Sequence, residues 1–335
     1  MAVRDTNRAR VLTAASCLLA IACLVMVYRH VPVMVKEVME LLRPEAHRRY
    51  LDGTLGGGGH AAEILTHSGP DGRVLGLDWD GEAIAAAKQR LEEFGERLVA
   101  RRANFTEARE ILKEIGWDQV HGVLLDLGLS SHHVGSADRG FSFQLGARLD
   151  MRMDRRQALD AFRLVNTAPV RELERILREY GEERAARRIA LAVDQTRRRK
   201  PIETTSELAD LVARVAGRTR GRGIHPATRT FQALRIAVNR ELQNLQGFLE
   251  DAYELLLPEG RMVIISFHSL EDRLVKTAFR KWSSNCLCPP RAPFCRCGWS
   301  QKTKLLTARP LIPCREEVQM NPRARPAKLR GVERL

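Results

Sequence analysis

A chain of 335 residues with 44% hydrophobic and 29% charged residues is long enough to bury a large core and for two domains, which excludes a disordered polymer. Its formal net charge of +14 points to a polyanionic partner, either nucleic acid or anionic membrane. The seven cysteines are odd in number and uneven in spacing. They do not resemble a secreted disulfide framework, and they favour a reducing compartment and a cytoplasmic location.

In chain order, the first feature is an uncharged, mostly apolar run from Val11 to Tyr28, preceded by Arg4, Arg8 and Arg10. It can be a short membrane span, a signal sequence, or a stretch that precedes the true start. Met26 opens a sequence that leads straight into a soluble pattern, so the third reading fits best. Residues 1–28 are then an N-terminal extension, and no stable membrane partner is expected.

From residue 36 helices and strands alternate. Glu37 to Leu42 is a short amphipathic helix. Arg49 to Asp52 is a strand that runs into Gly53-Thr-Leu-Gly-Gly-Gly-Gly-His60, and Ala61 to Thr66 opens the next helix. Arg73 to Asp78 is a second strand. Glu82 to Phe94 is a helix that Asp80 can cap. Leu98 to Ala103, Thr106 to Ile115 and Gly122 to Asp126 continue as strand, helix and strand. Short apolar strands between helices predict an α/β fold with a mostly parallel sheet covered on both faces.

Residues 131–231 hold no convincing strand. Helical segments are expected near 158–165, 170–180, 182–198 and 205–216, the last opened by a Thr204/Glu207 capping box. This block reads as a helical domain inserted into a sheet domain made of 29–130 and 232–335. A long helix from Phe231 to Leu257, a fifth strand from Arg261 to Ser266 and a helix from Leu270 to Trp282 follow. Leu305 to Pro310 and Ala327 to Val332 are candidate edge strands.

A strand ending in an acid, then glycines, then a helix, handles nucleotides, because glycine lets a backbone approach a ligand closely. Gly57-x-Gly59-x-x-Ala62 also fits a dinucleotide fingerprint, with Asp78 placed to accept both ribose hydroxyls. Asp52, however, lies just before the glycines. An acid there repels a pyrophosphate and favours the sulfonium and ammonium of S-adenosylmethionine. Asp126 ends the fourth strand. Asp52, Asp78 and Asp126 are therefore expected to converge at the carboxyl rim of the sheet.

Several long motifs occur in one order: Asp52 to His60, Leu124-Leu-Asp-Leu-Gly128, Arg139-Gly-Phe-Ser-Phe143, Leu149 to Asp154, Tyr180-Gly-Glu-Glu-Arg184, His225 to Arg235, Ser266 to Arg273 and Asn321-Pro-Arg-Ala-Arg325. With His30-Val-Pro-Val, they make residues 30 to 335 resemble the bacterial 16S ribosomal RNA (cytosine-N4)-methyltransferases and their mitochondrial relatives. The resemblance implies a class I (Rossmann-like) methyltransferase fold with a helical insertion that recognises RNA. It also implies methylation of the exocyclic N4 amine of a cytosine in the decoding region, on small-subunit RNA or an assembling small subunit. Gly58, Gly59 and His60 would hold the methionine end of the cofactor, Asp78 the ribose and Phe105 the adenine, with Asp126 also in contact. His133 stands where the family has the Gln of Ser-Ser-Pro-Gln, and Gly57 stands where it has Arg.

Cytosine's amine is a poor nucleophile, so a positioned proton acceptor and exclusion of water are needed. Asp126 and the loop Ser266 to Ser269 are the candidates, His268 first among them. Phe141 and Phe231 are candidate walls for a base taken out of its stack. His225 and His268 also suit helix caps. Arg139, Arg229, Arg273, Arg323 and Arg325 suit either phosphate contacts or ion pairs, while Met151 and Met153 suit packing. Cys286-x-Cys288 and Cys295-x-Cys297 leave one residue between paired cysteines, where zinc sites usually leave two to four. Free thiols and zinc both stay open, and no metal is assigned.

Overall fold

The computed structural model describes residues 32–129, 137–144, 146–217, 225–289 and 294–335. The candidate contact His133 and the apolar run 11–28 lie outside the described residues. Among those described, no helix is long and apolar enough to cross a membrane.

The first half alternates as the apolar runs predict: α1 (Val35–Leu42), β1 (Arg49–Asp52), α2 (Gly59–His67), β2 (Arg73–Asp78), α3 (Gly81–Arg90), β3 (Leu98–Arg102), α4 (Ala108–Glu114) and β4 (Val120–Asp126). Asp80 caps α3 by accepting from the N–H of Glu82. Five helices follow: α5 (Ala161–Thr167), α6 (Val170–Glu179), α7 (Ala186–Arg197), α8 (Thr205–Ala216) and α9 (Thr228–Asn239). The Thr204/Glu207 capping box opens α8. The chain then returns through α10 (Glu241–Phe248), β5 (Leu256–Ser266), α11 (Ser269–Trp282), β6 (Thr303–Leu305), α12 (Arg315–Met320) and β7 (Lys328–Arg334).

The strands form one sheet in the order β3-β2-β1-β4-β5-β7-β6. β1 to β5 pair in parallel, while β7 pairs antiparallel with β5 and β6. Successive strand residues point to opposite faces. Tyr50, Leu124 and Val263 join an apolar cluster under α1 and α2. Their neighbours Leu51, Leu125 and Ile264 join another under α4, α10 and α11. The strand order reverses beside β1, which is flanked by β2 on one side and β4 on the other. A crevice opens at that switch point, beyond the carboxyl ends of the strands.

Helices α5 to α9 share a third apolar cluster, which runs from Phe141 through Leu149, Met151 and Met153 to Val238. It takes in Phe141 and Phe231, which are therefore core residues of the helical unit and do not wall the crevice. A buried cation docks this unit onto the sheet. Arg139 is 2% exposed; its guanidinium lies 3.0 Å from Asp80 and 3.2 Å from Glu82. It also donates to the carbonyls of Arg152 and Met153. Of its two possible roles, Arg139 fills the ion pair.

Two expectations are corrected. The long helix from Phe231 to Leu257 breaks at Arg240, which is left-handed (φ 52°, ψ 35°). Asn239 turns its amide back to the carbonyls of Met151 and Arg235 and accepts from the N–H of Met153. Leu256 already belongs to β5, because an apolar run of this length has no periodicity to separate helix from strand. The tail corrects the other: of its two strands only β6 lies at an edge of the sheet, and β7 is inserted between β5 and β6. Its charged residues are accommodated by ion pairs of Arg330 with Asp272 and of Glu333 with Arg261.

Removing one partner of a buried ion pair leaves the others uncompensated. Arg139→Met is therefore expected to lower unfolding stability by about 3–5 kcal/mol, read by denaturant titration. A loss no larger than that of an exposed arginine would contradict this docking role.

Candidate active site

The glycine turn after β1 is shaped by the need for close packing. The N–H of Gly53 donates to the carbonyl of Leu124 (2.9 Å), and that of Gly56 to Asp78 Oδ2 (2.9 Å). A Cβ on Gly53 would lie 2.4 Å from the Leu125 side chain and 3.0 Å from Cβ of Phe105. Thr54 fastens the turn to β4, its hydroxyl accepting from the N–H of Asp126 at 2.6 Å.

These elements line a pocket with Gly59, His60, Asp78, Phe105 and Asp126, all expected there. Gly58 lies behind it: in the left-handed conformation (φ 77°), it opens α2 and faces Leu91 and Ala87. Asp52 is also behind the pocket wall, 1% exposed, with its carboxylate accepting from the N–H of Thr54. The expected convergence thus holds for Asp78 and Asp126, with Asp52 buried beneath them. His60 is fixed by its Nε2, which lies 2.9 Å from the carbonyl of Val33, and its Nδ1 is 3.7 Å from Asp126 Oδ2. Phe105 is held edge-on by Phe248, with ring centroids 5.4 Å apart.

Burial dominates the electrostatics. It pushes the Asp52 carboxyl up to about 7, against the pull of the Thr54 N–H and with a further push from Asp78. It drives Asp126 well above the usual carboxylate range, aided by the charges of Asp52 and Glu271. Asp126 Oδ1 is buried with no hydrogen-bond partner among the described residues.

Glu271, in the same wall, is resolved the other way. Burial alone would raise it, but His268, Arg235 and the N–H of Phe267 together hold it below its ordinary value. His268 is the cap of α11: its Nδ1 accepts from the N–H of Glu271 while Glu271 Oε2 accepts from the N–H of His268. Its Nε2 lies 3.2 Å from Glu271 Oε1, a close contact that lacks hydrogen-bond geometry. His268 does not line the pocket and acts on it through Glu271, which corrects its place as first candidate.

Glu241, Asn244, Glu271 and Trp79 line the pocket without having been singled out in the sequence. Glu271 had a signal, the His268-x-x-Glu271 capping spacing. Glu241 and Asn244 were hidden by the break at Arg240, across which Arg235 holds Glu241 by two bonds of 2.9 and 2.7 Å. Arg323 reaches the pocket and is exposed; Arg229, Arg273 and Arg325 are also exposed, Arg273 lying 3.6 Å from Glu182. His225 stacks on Phe143 and its Nδ1 accepts from the N–H of Ala227, a local cap outside the pocket.

This sheet order, with an acid-lined crevice at its switch point, defines a class I methyltransferase. Residues 27–335 match the MraW methylase family, and the chain belongs to that family. The ribosomal RNA small subunit methyltransferase H of Heliobacterium modesticaldum is 49% identical over 312 residues, 92% of this chain and 100% of that protein. The protein of the same name from Syntrophus aciditrophicus is 50% identical over 307 residues, 91% of this chain and 98% of its own length. A solved rRNA methylase from Streptococcus thermophilus overlays loosely, with a TM-score of 0.35 at 12% identity over 90% of this chain and 93% of that one. The fold assignment stands on the sheet itself.

The cofactor of this methyltransferase is S-adenosylmethionine, and the residues present fit it. Buried carboxyl groups with an orphaned oxygen at Asp126 suit a cationic ligand. Asp78 accepts one backbone N–H on each oxygen, from Asp80 and Gly56.

The Asp52 carboxyl sets a pH dependence. Near its ordinary value of 3.8 and below, it is protonated in both folded and unfolded chains; between there and about 7 only the folded chain keeps the proton. Stability therefore falls as pH rises through that window and stays lower above it. Asp52→Asn keeps the acceptor for Thr54, and without cofactor its stability relative to wild type should improve by about 3–4 kcal/mol between pH 4 and pH 8. Denaturant unfolding at the two pH values measures this; an unchanged margin would show that Asp52 does not carry the proton.

Proposed function

We propose that this methyltransferase transfers the methyl group of S-adenosylmethionine to the exocyclic N4 amine of a cytosine in the decoding region of small-subunit ribosomal RNA. The substrate would be the RNA or the assembling small subunit, in the cytoplasm. The names of the relatives support the class of RNA. The observation that carries the chemistry is the pair of buried acids, Asp126 and Glu271, in one wall, with Asp126 Oδ1 unpartnered.

An amine that accepts a methyl group becomes cationic and must then lose a proton. The bound cofactor supplies an electrophilic methyl group. With the cationic cofactor bound beside it, Asp126 is ionised, and its carboxylate accepts an N–H of the target amine, orients its lone pair and takes the proton. Glu271, held ionised by His268 and Arg235, stabilises the developing positive charge. Trp79, Leu129 and Phe267 supply the apolar wall that excludes water and receives the flipped base. Gly59 and His60 hold the methionine end, Asp78 the ribose and Phe105 the adenine, with Gly58 setting the turn and His133 as a further contact.

Helices α5 to α9 grip the RNA backbone. Arg187 and Arg188 project from α7 and are exposed. Phosphate contacts of this kind add affinity without sequence preference.

Transfer of labelled methyl groups to small-subunit RNA, followed by nucleoside mass spectrometry, should yield N4-methylcytidine. Asp126→Asn should lower the rate by about 10²–10⁴-fold. A methyl group on another atom would overturn the position, and no transfer to RNA or subunit would overturn the reading in favour of a non-catalytic assembly factor. Arg187→Gln combined with Arg188→Gln should weaken RNA binding and make its log–log salt dependence shallower by about 1–2. Affinity for S-adenosylmethionine, measured by calorimetry, should not change.

A further inference from the structure

The loop that follows α11 leaves and returns at one place. The N–H of Lys302 donates to the carbonyl of Trp282 (2.8 Å), and Trp299 Nε1 donates to the carbonyl of Ser284 (3.0 Å). Beyond that neck, among the described residues, Leu287 is 41% and Phe294 75% exposed. Yet the loop gathers four sulfurs from two ends of the segment. Cys286 Sγ lies 3.4 Å from Cys295 Sγ and 3.6 Å from Cys297 Sγ, and Cys295 and Cys297 are 3.6 Å apart. All four sulfurs, Cys288 included, lie within 4.8 Å of one another. Three of these cysteines are exposed, so hydrophobic packing does not hold them together.

We propose that Cys286, Cys288, Cys295 and Cys297 bind a single zinc ion that closes this loop. The dimensions select a mononuclear ion. Zinc–sulfur bonds of ~2.3 Å in a tetrahedron put sulfurs ~3.8 Å apart, close to the spacing here. A disulfide needs ~2.05 Å between two sulfurs, whereas Cys286 has two near-equal neighbours and all four are free. An iron–sulfur cluster spaces its cysteines around several atoms and does not fit four sulfurs so close together.

The backbone is arranged for thiolates. The N–H of Cys288 points at Cys286 Sγ (3.3 Å), that of Leu287 at Cys297 Sγ (3.4 Å) and that of Arg296 at Cys288 Sγ (3.3 Å). These donors orient and stabilise ligand sulfurs as outer partners do at metal sites. One-residue spacing within each pair is unusual, but here the two pairs come from opposite sides of the loop and close the tetrahedron between them.

The ion would be structural. It ties the two ends of the segment beyond Trp282, at the far end of the helix whose first turn carries Glu271 into the pocket.

The test uses the full chain, purified without a histidine tag under reducing conditions. Elemental analysis should give about one zinc per chain, and cobalt(II) added after zinc removal should give the intense visible bands of tetrahedral thiolate coordination. Cys286→Ser combined with Cys297→Ser should abolish both while leaving S-adenosylmethionine binding unchanged, which also reports that the variant is folded. Should that variant not fold, the wild type still decides: the four thiols should resist alkylation until a chelator is added, with exposed Cys314 as the reactive reference. Chelator-independent alkylation, absent cobalt bands, or disulfides among the four in anaerobically prepared protein would each overturn the proposal.

Discussion

Four acids gathered at the carboxyl rim of the sheet, Asp52, Asp78 and Asp126 at the ends of β1, β2 and β4 and Glu271 in the first turn of α11, are the constraint around which the rest is arranged. A lone buried carboxylate is costly and either finds a partner or keeps its proton. Each of the four acids here resolves that cost differently. Asp78 accepts backbone N–H groups from Gly56 and Asp80, Glu271 takes Arg235 and His268, Asp52 holds its proton up to about pH 7, and Asp126 keeps a buried oxygen with no hydrogen-bond partner among the described residues. A cationic ligand completes this set, and a pyrophosphate does not. Glu271, held ionised by His268 and Arg235, favours a cationic ligand over a pyrophosphate, whereas the glycine turn serves either.

Much of the sheet was legible because its signals are local. Parallel strands buried on both faces read as short apolar runs, and Asp80 and Thr204 mark helix starts by a mechanism that needs no tertiary information. The break at Arg240 was not legible, because it depends on what Asn239 finds across 86 residues of chain, the N–H of Met153. The place of β7 was hidden for a related reason. Lys328-Leu-Arg-Gly-Val-Glu-Arg334 carries charges that suit an edge, and only their partners Asp272, Arg261 and Lys304 make it a central strand.

Within the site, residue type and order indicated Gly59, His60, Asp78, Phe105 and Asp126, all at or just beyond the carboxyl ends of strands. The misplacement of His268 is instructive. A histidine in a motif-rich loop invites a catalytic role, but the capping geometry of α11 turns its ring toward Glu271 and puts the carboxylate in the wall. Phe141 and Phe231 were misplaced for the opposite reason. A helical unit of this size needs aromatic bulk in its own core, and that need claimed both rings.

The left-handed residue at Arg240 makes a mechanical joint of what the sequence writes as one rod. On one side Asn239 is bolted to the backbone of Met151 and Met153; on the other Glu241 and Asn244 face the cofactor pocket, with the Arg235–Glu241 pair bridging the gap like a strut. A swing of the helical unit would pull on this strut and displace two pocket side chains at once. The place of two pocket side chains and the seat of the helical unit are thus fixed by three consecutive residues, Asn239, Arg240 and Glu241.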